Sequence, residues 1–319
     1  MTGAPNAVEI NLSAAIVAVA NNDPLILTSP AGGDAERDEL PFGPFNPLQH
    51  RTFETGLREW VAEQTPLRLG YVEQLYTFGD RGRHKTAEDQ DLHIVSVGYL
   101  ALTRIADDNR EAISKSGARW RSWYSFLPWE DWRGGKPAMI DETIRPALLS
   151  WAKSGGFSAR LSRLRLAFGD DGIAWDEERS LERYELLYEA GLVDEAGRDG
   201  RAERTELSRA LGLPMSFDHR RILATAISRL RSKLKYRPVI FELMPPTFTL
   251  TALQETVEAI SGRHLHKQNF RRLVETTELV EPTGAEQTQA RGRPAALYRF
   301  RHNVLEERSV AGLRVGGRG

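Results

Sequence analysis

Residues 249–300 read TLTALQETVEAISGRHLHKQNFRRLVETTELVEPTGAEQTQARGRPAALYRF. Thr249 can cap a helix over residues 250–261, and Gly262 stops it. A second, short helix runs from about His266 to Thr276. Leu279 and Val280, then residues 297–300, form two short strands, and the loop between them carries Arg291, Gly292, Arg293 and Pro294. Helix, tight glycine turn, basic helix and a hairpin with a basic loop is the order of a winged helix. The second helix offers Lys267, Gln268, Asn269, Arg271 and Arg272 from its first turns. In a major groove Arg and Lys read guanine edges, and Asn and Gln read adenine edges. Phe270, Leu273 and Val274 lie on the opposite face and would bury it. Arg291 and Arg293 in the wing suit phosphate or the minor groove. The alternative is a winged helix used for protein contacts. Charge separates the two: residues 219–319 hold 18 Arg and Lys against 9 Asp and Glu, whereas residues 1–218 hold 25 against 35. A basic C-terminal third behind an acidic body fits one region facing a polyanion. His264 and His266 read as turn or phosphate residues, because no third His and no Cys completes a zinc site.

Upstream, residues 217–234 read as a helix with Ile222, Leu223, Ala226, Ile227, Leu230 and Leu234 on one face. Arg229, Arg231, Lys233 and Lys235 match the negative end of its dipole, and Pro238 ends it. Residues 194–206 are polar and read as a linker or insertion. Residues 140–154 and 177–190 read as helical. Five of the seven tryptophans fall within residues 119–151. This segment reads as a packed aromatic insert or a dimer surface, or else as a stacking platform for a base.

Toward the N-terminus, Ile10, Leu12, Ala14, Ile16 and Ala18 alternate, and Asn21, Asn22, Asp23 and Pro24 make a turn within an otherwise β stretch over residues 8–28. Residues 29–47 read as loop, 53–64 as helix, 69–78 as strand, 79–91 as polar loop and 93–102 as strand. This order describes a mixed sheet carrying a helix and argues against a doubly wound parallel sheet. The expected class is α+β, divided into residues 1–155, a helical or polar connector over 156–216, and a basic C-terminal region over 217–319. With 319 residues, 40% apolar and 27% charged, the chain has the composition of a globular protein of two domains. It has no Cys, hence no disulfide, no thiolate metal site and no Cys nucleophile. It lacks an apolar run of ~18 residues and a signal-peptide pattern, so no membrane partner and a cytoplasmic location are expected. No P-loop, dinucleotide-binding glycine fingerprint or Ser/His/Asp arrangement is present.

The helix over residues 53–64 ends in Arg58-Glu59-Trp60-Val61-Ala62-Glu63-Gln64-Thr65. This fits imperfectly the helical half of a Nudix box, whose carboxylates at spacings of three and four converge on divalent cations. Those cations activate water and neutralise a pyrophosphate. Here Ala62 removes one carboxylate. His50 stands where an earlier Glu belongs, Pro44 (beside Gly43) where a Gly belongs, and Thr65 replaces a late Gly. No catalytic residue and no metal site are therefore expected.

Residues 57–65, the strings LGYVEQLYTFGD (69–80) and IVSVGYLAL (94–102), and residues 217–300 together resemble the Nudix-related transcriptional regulators of NAD metabolism, the NrtR-type family with its NadQ-like branch. The resemblance implies an N-terminal Nudix-like sensor and a C-terminal winged helix. It implies a homodimeric repressor that binds palindromic operators of NAD biosynthesis or salvage genes. An effector nucleotide (ADP-ribose, NAD or ATP) is expected at the sensor, with no required cofactor and with hydrolysis lost. Arg58, Glu59 and Glu63, with Tyr76 and Phe78 on the following strand, are candidate ligand contacts; Arg58 and Glu59 have a structural alternative, with Arg58 bracing a loop. The competing readings are an active Nudix pyrophosphatase on ADP-ribose-like substrates and a protein-interaction module with no DNA target.

Overall fold

The computed structural model describes residues 7–32, 34–67, 69–80, 92–105, 107–287 and 294–301. The sheet begins with β1 (Ala7–Ala20), β2 (Asp23–Ala31), β3 (Asp34–Glu39) and β4 (Phe42–Pro44). After α1 (Phe53–Gln64) come β5 (Val72–Phe78) and β6 (Leu92–Leu102), then α2 (Asp107–Lys115) and β7 (Arg119–Ser122). The strands run in the order β3-β2-β1-β6-β5, with β4 also paired to β1 and β7 to β2. β1 and β6 are parallel, with Leu12 opposite Val97 and Ile16 opposite Ala101; the other pairs are antiparallel. The β1–β2 turn is made by Asn21 and Asn22, both with positive φ, the conformation that the strand twist favours in a two-residue hairpin.

The alternation in β1 has a consequence for both faces. Leu12, Ala14 and Ile16 point to α1 and pack with Leu57, Val61, Val97 and Tyr99. Ala15 and Val17 point the other way, into a larger core with Leu75, Phe78, Leu100 and Leu102. The sheet is therefore buried on both sides. Thr52 caps α1, its hydroxyl accepting from the Thr55 N–H at 3.1 Å, so the helix starts and ends where the sequence places it. The 29–47 stretch, expected as loop, contains β3 and β4. Its charged and Gly-Pro residues hide short edge strands, whose pairing is decided by the neighbouring long strands.

The second face is covered by helices: α3 (Arg145–Lys153), α4 (Phe157–Phe168), α5 (Ser180–Glu189), α6 (Asp194–Arg198), α7 (Glu206–Ala210) and the long α8 (His219–Leu234). α8 is buried nearly all round, not on one stripe, because the sheet lies on one side of it and the tryptophan-rich segment and α5 lie on the other. Phe217, just before it, has φ 51°. Residues 194–206 are not a linker. Asp194 and Glu195 are buried, and the Glu195 carboxylate accepts from the Met215 N–H at 3.0 Å and from Arg220 at 3.1 Å. The polarity of residues 194–199 belongs to an internal hydrogen-bond network, whereas residues 203–206 are exposed; composition alone does not separate the two.

After a 3₁₀ turn (Val239–Leu243) come α9 (Leu250–Ser261), α10 (Lys267–Thr277), β8 (Val280–Gln287) and β9 (Ala295–Phe300). β8 and β9 pair antiparallel from Val280 opposite Phe300 to Gln287 opposite Ala295. Phe248 exchanges backbone hydrogen bonds with Tyr298 at 2.8 and 2.9 Å, which adds a short third strand to the hairpin. Phe270, Val274 and Leu279 join Phe241, Phe248, Leu253 and Val257 in the core.

Candidate nucleic-acid interface and sensor face

α10 separates its two faces cleanly. Phe270 and Val274 are buried, while Lys267, Gln268, Asn269, Arg271 and Arg272 are all exposed. Among the described residues the three cations form no ion pair. The turn before α10 is tied by a buried carboxylate. The buried Glu258 carboxylate accepts from the Leu265 N–H and from Gln254, both at 2.8 Å, and pairs with His264 at 3.1 Å. Burial raises the Glu258 pKa, but these hydrogen bonds and the charge of His264 outweigh it and hold the carboxyl below its ordinary value. His264 thus belongs to the turn, and His266 is the N-cap residue of α10. Arg291 and Arg293 lie outside the described residues, in the stretch that joins β8 to β9.

The C-terminal end of α9 plugs into the tryptophan-rich segment. Gly262 is its left-handed cap, with φ 72°, and an added Cβ would stand 2.5 Å from the Glu130 carbonyl oxygen. Tyr124 donates to the Ala259 carbonyl at 2.7 Å, Arg231 to that of Ile260 at 2.9 Å, and the Trp132 N–H to that of Gly262 at 2.8 Å. Two of the carbonyls that the helix end leaves open, and that of its cap residue, are thereby satisfied from the tryptophan-rich segment and α8. Trp123 and Trp129 are fully buried, and Trp132 packs on Trp175 at 4.3 Å between ring centroids. The packed-insert reading of this segment describes what is seen.

Below that socket sits a closed ion cluster. Glu130 receives Arg183 at 2.6 and 2.9 Å, Ser180 at 2.9 Å, and Arg231; Glu130, Arg183 and Arg231 are all inaccessible to solvent. Burial pushes the Glu130 carboxyl up, yet the two guanidinium groups outweigh it and the net shift is downward. Sequence reasoning missed Glu130 and Arg183, and assigned Arg231 only to the helix dipole. The available signal was an acid enclosed by tryptophans in Pro128-Trp129-Glu130-Asp131-Trp132, since a carboxylate in such a setting requires a cation.

On the sensor face, Arg58 donates to the carbonyls of Leu69 at 2.8 Å and Gly70 at 3.3 Å and pairs with Glu54 at 2.9 Å. It braces the chain leading into β5. His50 is buried behind α1. Its Nδ1 accepts from the Asn46 N–H at 3.2 Å, which leaves the proton on Nε2 to face Glu59 at 3.3 Å. A Cβ on Gly56 would lie 2.6 Å from that ring, so the glycine makes room for the histidine. Ala62 and Glu63 are exposed. Among the described residues no group of three or more His, Asp or Glu is arranged to hold a metal ion.

The five candidate ligand contacts do not meet. Arg58, Glu59 and Glu63 are on α1, on one side of the sheet. Tyr76 and Phe78 are turned to the α8 side, Tyr76 exposed beside Arg229 and Phe78 buried under Arg221. Phe78 is a core residue: it faces Gly98 and Ile222, where a Cβ on the glycine would touch both. The bulge in β5 between Gln74 and Thr77 shifts the register, a feature that strict alternation does not anticipate.

A mixed sheet covered by α1 on one side, joined through α8 to a winged helix, defines a Nudix-like domain coupled to a DNA-binding-type module. Comparison with known proteins agrees. Residues 240–300 match the NrtR DNA-binding winged helix domain. A crystal structure of Shewanella oneidensis NrtR complexed with a 27mer DNA superposes with TM-score 0.58 at 20% identity, covering 96% of this chain and 98% of that one. A MutT/nudix family protein from Enterococcus faecalis superposes with TM-score 0.51 at 14% identity, covering 94% and 89%. The chain is also 44% identical over 100 residues to the "ADPR responsive transcriptional repressor NtrR" of Acinetobacter baylyi, a match spanning 31% of this chain and 39% of that protein. Among the described residues no helix is long and apolar enough to cross a membrane.

Proposed function

We propose that this chain is a ligand-responsive transcriptional repressor of NAD biosynthesis or salvage genes. It binds palindromic operator DNA as a homodimer in the cytoplasm, with Lys267, Gln268, Asn269, Arg271 and Arg272 entering the major groove and Arg291 and Arg293 reaching the backbone or minor groove. The observation that carries this reading is the α10 face: five exposed groove-reading side chains on a winged helix of the NrtR type. The Nudix-like domain senses a nucleotide of NAD metabolism without hydrolysing it. ADP-ribose is the first candidate, ahead of NAD and ATP, because the Acinetobacter relative is named as ADPR-responsive. The loss of hydrolysis is supported by Ala62 at a carboxylate position and by the pairing of Glu59 with His50. Arg58, Glu59 and Glu63 remain the candidate contacts on α1. Tyr76, on the opposite side of the sheet, belongs to a different surface, and Phe78 supports the core.

The test is fluorescence anisotropy with palindromic DNA whose half-sites are about 34 Å apart, across a salt series, with and without ADP-ribose. Specific binding that ADP-ribose changes, with no turnover of ADP-ribose in magnesium, is the expected result. By linkage the operator must change ADP-ribose affinity by the same factor. Magnesium-dependent hydrolysis that Glu63→Gln abolishes would replace this reading with the pyrophosphatase.

A further inference from the structure

A cleft of about 900 Å³ opens between the two domains, lined from the sensor side by Tyr71 and Arg104, from the end of α8 by Lys233 and Arg237, and from the hairpin by Arg299 and Arg301. We propose that this cleft binds a nucleoside polyphosphate, at a site separate from the α1 face and from the operator-reading surface.

The first argument is charge. Five cations from three separated parts of the chain face this space; Glu242 and Glu281 line it with them, and Glu73 and Glu278 stand 3.1 Å from Lys233 and 3.9 Å from Arg301, so the cations outnumber the carboxylates by one. The dipole of α8 accounts for cations at its own C-terminal end, such as Lys233 and Arg237. It does not account for Arg104 after β6, or for Arg299 and Arg301 at the end of β9. Lys233 is pre-oriented, 3.1 Å from Glu73, whose carboxylate also accepts from the Tyr71 hydroxyl at 2.9 Å. Arg299 is held by Glu281 at 2.7 Å. Arg237 is exposed and forms no ion pair among the described residues.

The second argument is shape. One wall is apolar and stiff, made by Pro238, Val239, Met244, Pro245 and Pro246. On it Phe300 stacks against Phe241, with ring centroids 4.4 Å apart and planes 23° apart, a flat surface suited to a planar ring. The volume lies within the range of small-molecule sites, about 300–1,000 Å³. Cations for phosphates beside a ring platform are the two halves of a nucleotide site.

The third argument is position. The cleft lies at the base of the hairpin, where Val280 pairs with Phe300, whereas Gln287 and Ala295 pair at the far end of its described residues. At about 3.3 Å per residue the two ends are roughly 20 Å apart. None of the cations lining the cleft is among the residues assigned to operator DNA. Their walls belong to both domains, so an occupant would fix the hairpin against the sensor sheet.

The experiment is calorimetry on the full chain with ATP, inorganic tripolyphosphate and adenosine as separate titrants. ATP is expected to bind most tightly, tripolyphosphate more weakly and adenosine least. Arg104→Glu and Arg237→Glu, both exposed, should each weaken ATP at least tenfold with no change in thermal unfolding. Phe300→Leu should weaken ATP while leaving tripolyphosphate unchanged. Absence of ATP binding, wild-type ATP affinity in both charge-reversed variants, or loss of ATP binding in Arg58→Ala would overturn the proposal. None of these outcomes bears on operator binding or on its response to ADP-ribose, so the two readings fail separately.

Discussion

Arg231 and Arg271 are one residue type on two helices of the same basic region, and they have opposite surroundings. Arg231 on α8 is sealed from solvent, with its Nε, Nη1 and Nη2 groups engaged by Glu130, Ser180, Tyr124 or backbone carbonyls. Arg271 on α10 is exposed. Burial makes a cation an obligate part of the structure, because stripping its water is repaid only by a fixed set of acceptors. Exposure without an ion pair leaves the same group available to a phosphate or a guanine edge. Thus the charge excess of the C-terminal third overstates its DNA-binding surface: Arg220 and Arg231 contribute to the count while neutralising Glu195 and Glu130 inside the core.

The largest effect that would break this comparison is at Glu130. Glu130→Gln leaves Arg183 and Arg231 buried without a counter-charge and should lower stability by about 3–5 kcal/mol. Arg231→Met should cost less, since Arg183 still neutralises Glu130 and the methionine fills much of the space. Urea unfolding of both variants gives the order directly. If Glu130→Gln unfolds at the wild-type midpoint, the cluster does not hold the domains together.

Arg271→Ala and Arg272→Ala should behave in the opposite way. Their stability should stay within about 0.5 kcal/mol of wild type, as for ordinary surface changes. Operator affinity should fall, and for a phosphate contact the slope of log affinity against log salt should drop by about 1 per residue. Replacing Gln268 or Asn269 should leave that slope alone and cost roughly 1–3 kcal/mol of discrimination at one base pair. Unchanged affinity in Arg271→Ala, Arg272→Ala and the double variant would place the binding surface elsewhere.

Arg58 falls between the two cases. It is partly exposed, yet it holds the carbonyls of Leu69 and Gly70. Arg58→Ala should cost about 1 kcal/mol in unfolding, the usual contribution of such hydrogen bonds, whether or not a nucleotide is present. A loss of ADP-ribose affinity with stability intact would instead make it a ligand contact.

These cases show what the sequence made legible. α1 and α9 were readable because each has a local start signal, Thr52 and Thr249, and an apolar period that burial obeys. The face of α10 was readable because short-range spacing alone separates Phe270 and Val274 from the polar residues. The Glu130 cluster was not, since its partners are 53 and 101 positions away and polarity along the chain carries no record of pairing at that distance. The same limit applies to residues 194–206 and to Phe78, where a bulge and a helix far along the chain decide which side chains are covered.

The smallest expected effect concerns Glu258, an acid that sharpens the comparison because it is neutralised by the turn itself. Its folded-state pKa is depressed: burial opposes the charge, but donation from Gln254 and the Leu265 N–H and the proximity of His264 prevail. A depressed carboxyl stabilises the fold fully above its unfolded pKa, about 4.3, and the contribution fades as pH falls through the lower folded value. The α9–α10 turn should therefore loosen on the acid side and nowhere near neutrality. Amide hydrogen exchange at Leu265, followed from pH 6 downward and corrected for its intrinsic pH dependence, should show protection falling below about pH 4.3 in the wild type. In Glu258→Gln the protection should be lower at neutral pH and vary less with acid, because an amide accepts the Leu265 hydrogen bond without titrating. Equal acid sensitivity in both proteins would assign the loosening to another carboxylate, with the buried Glu130 cluster next in line.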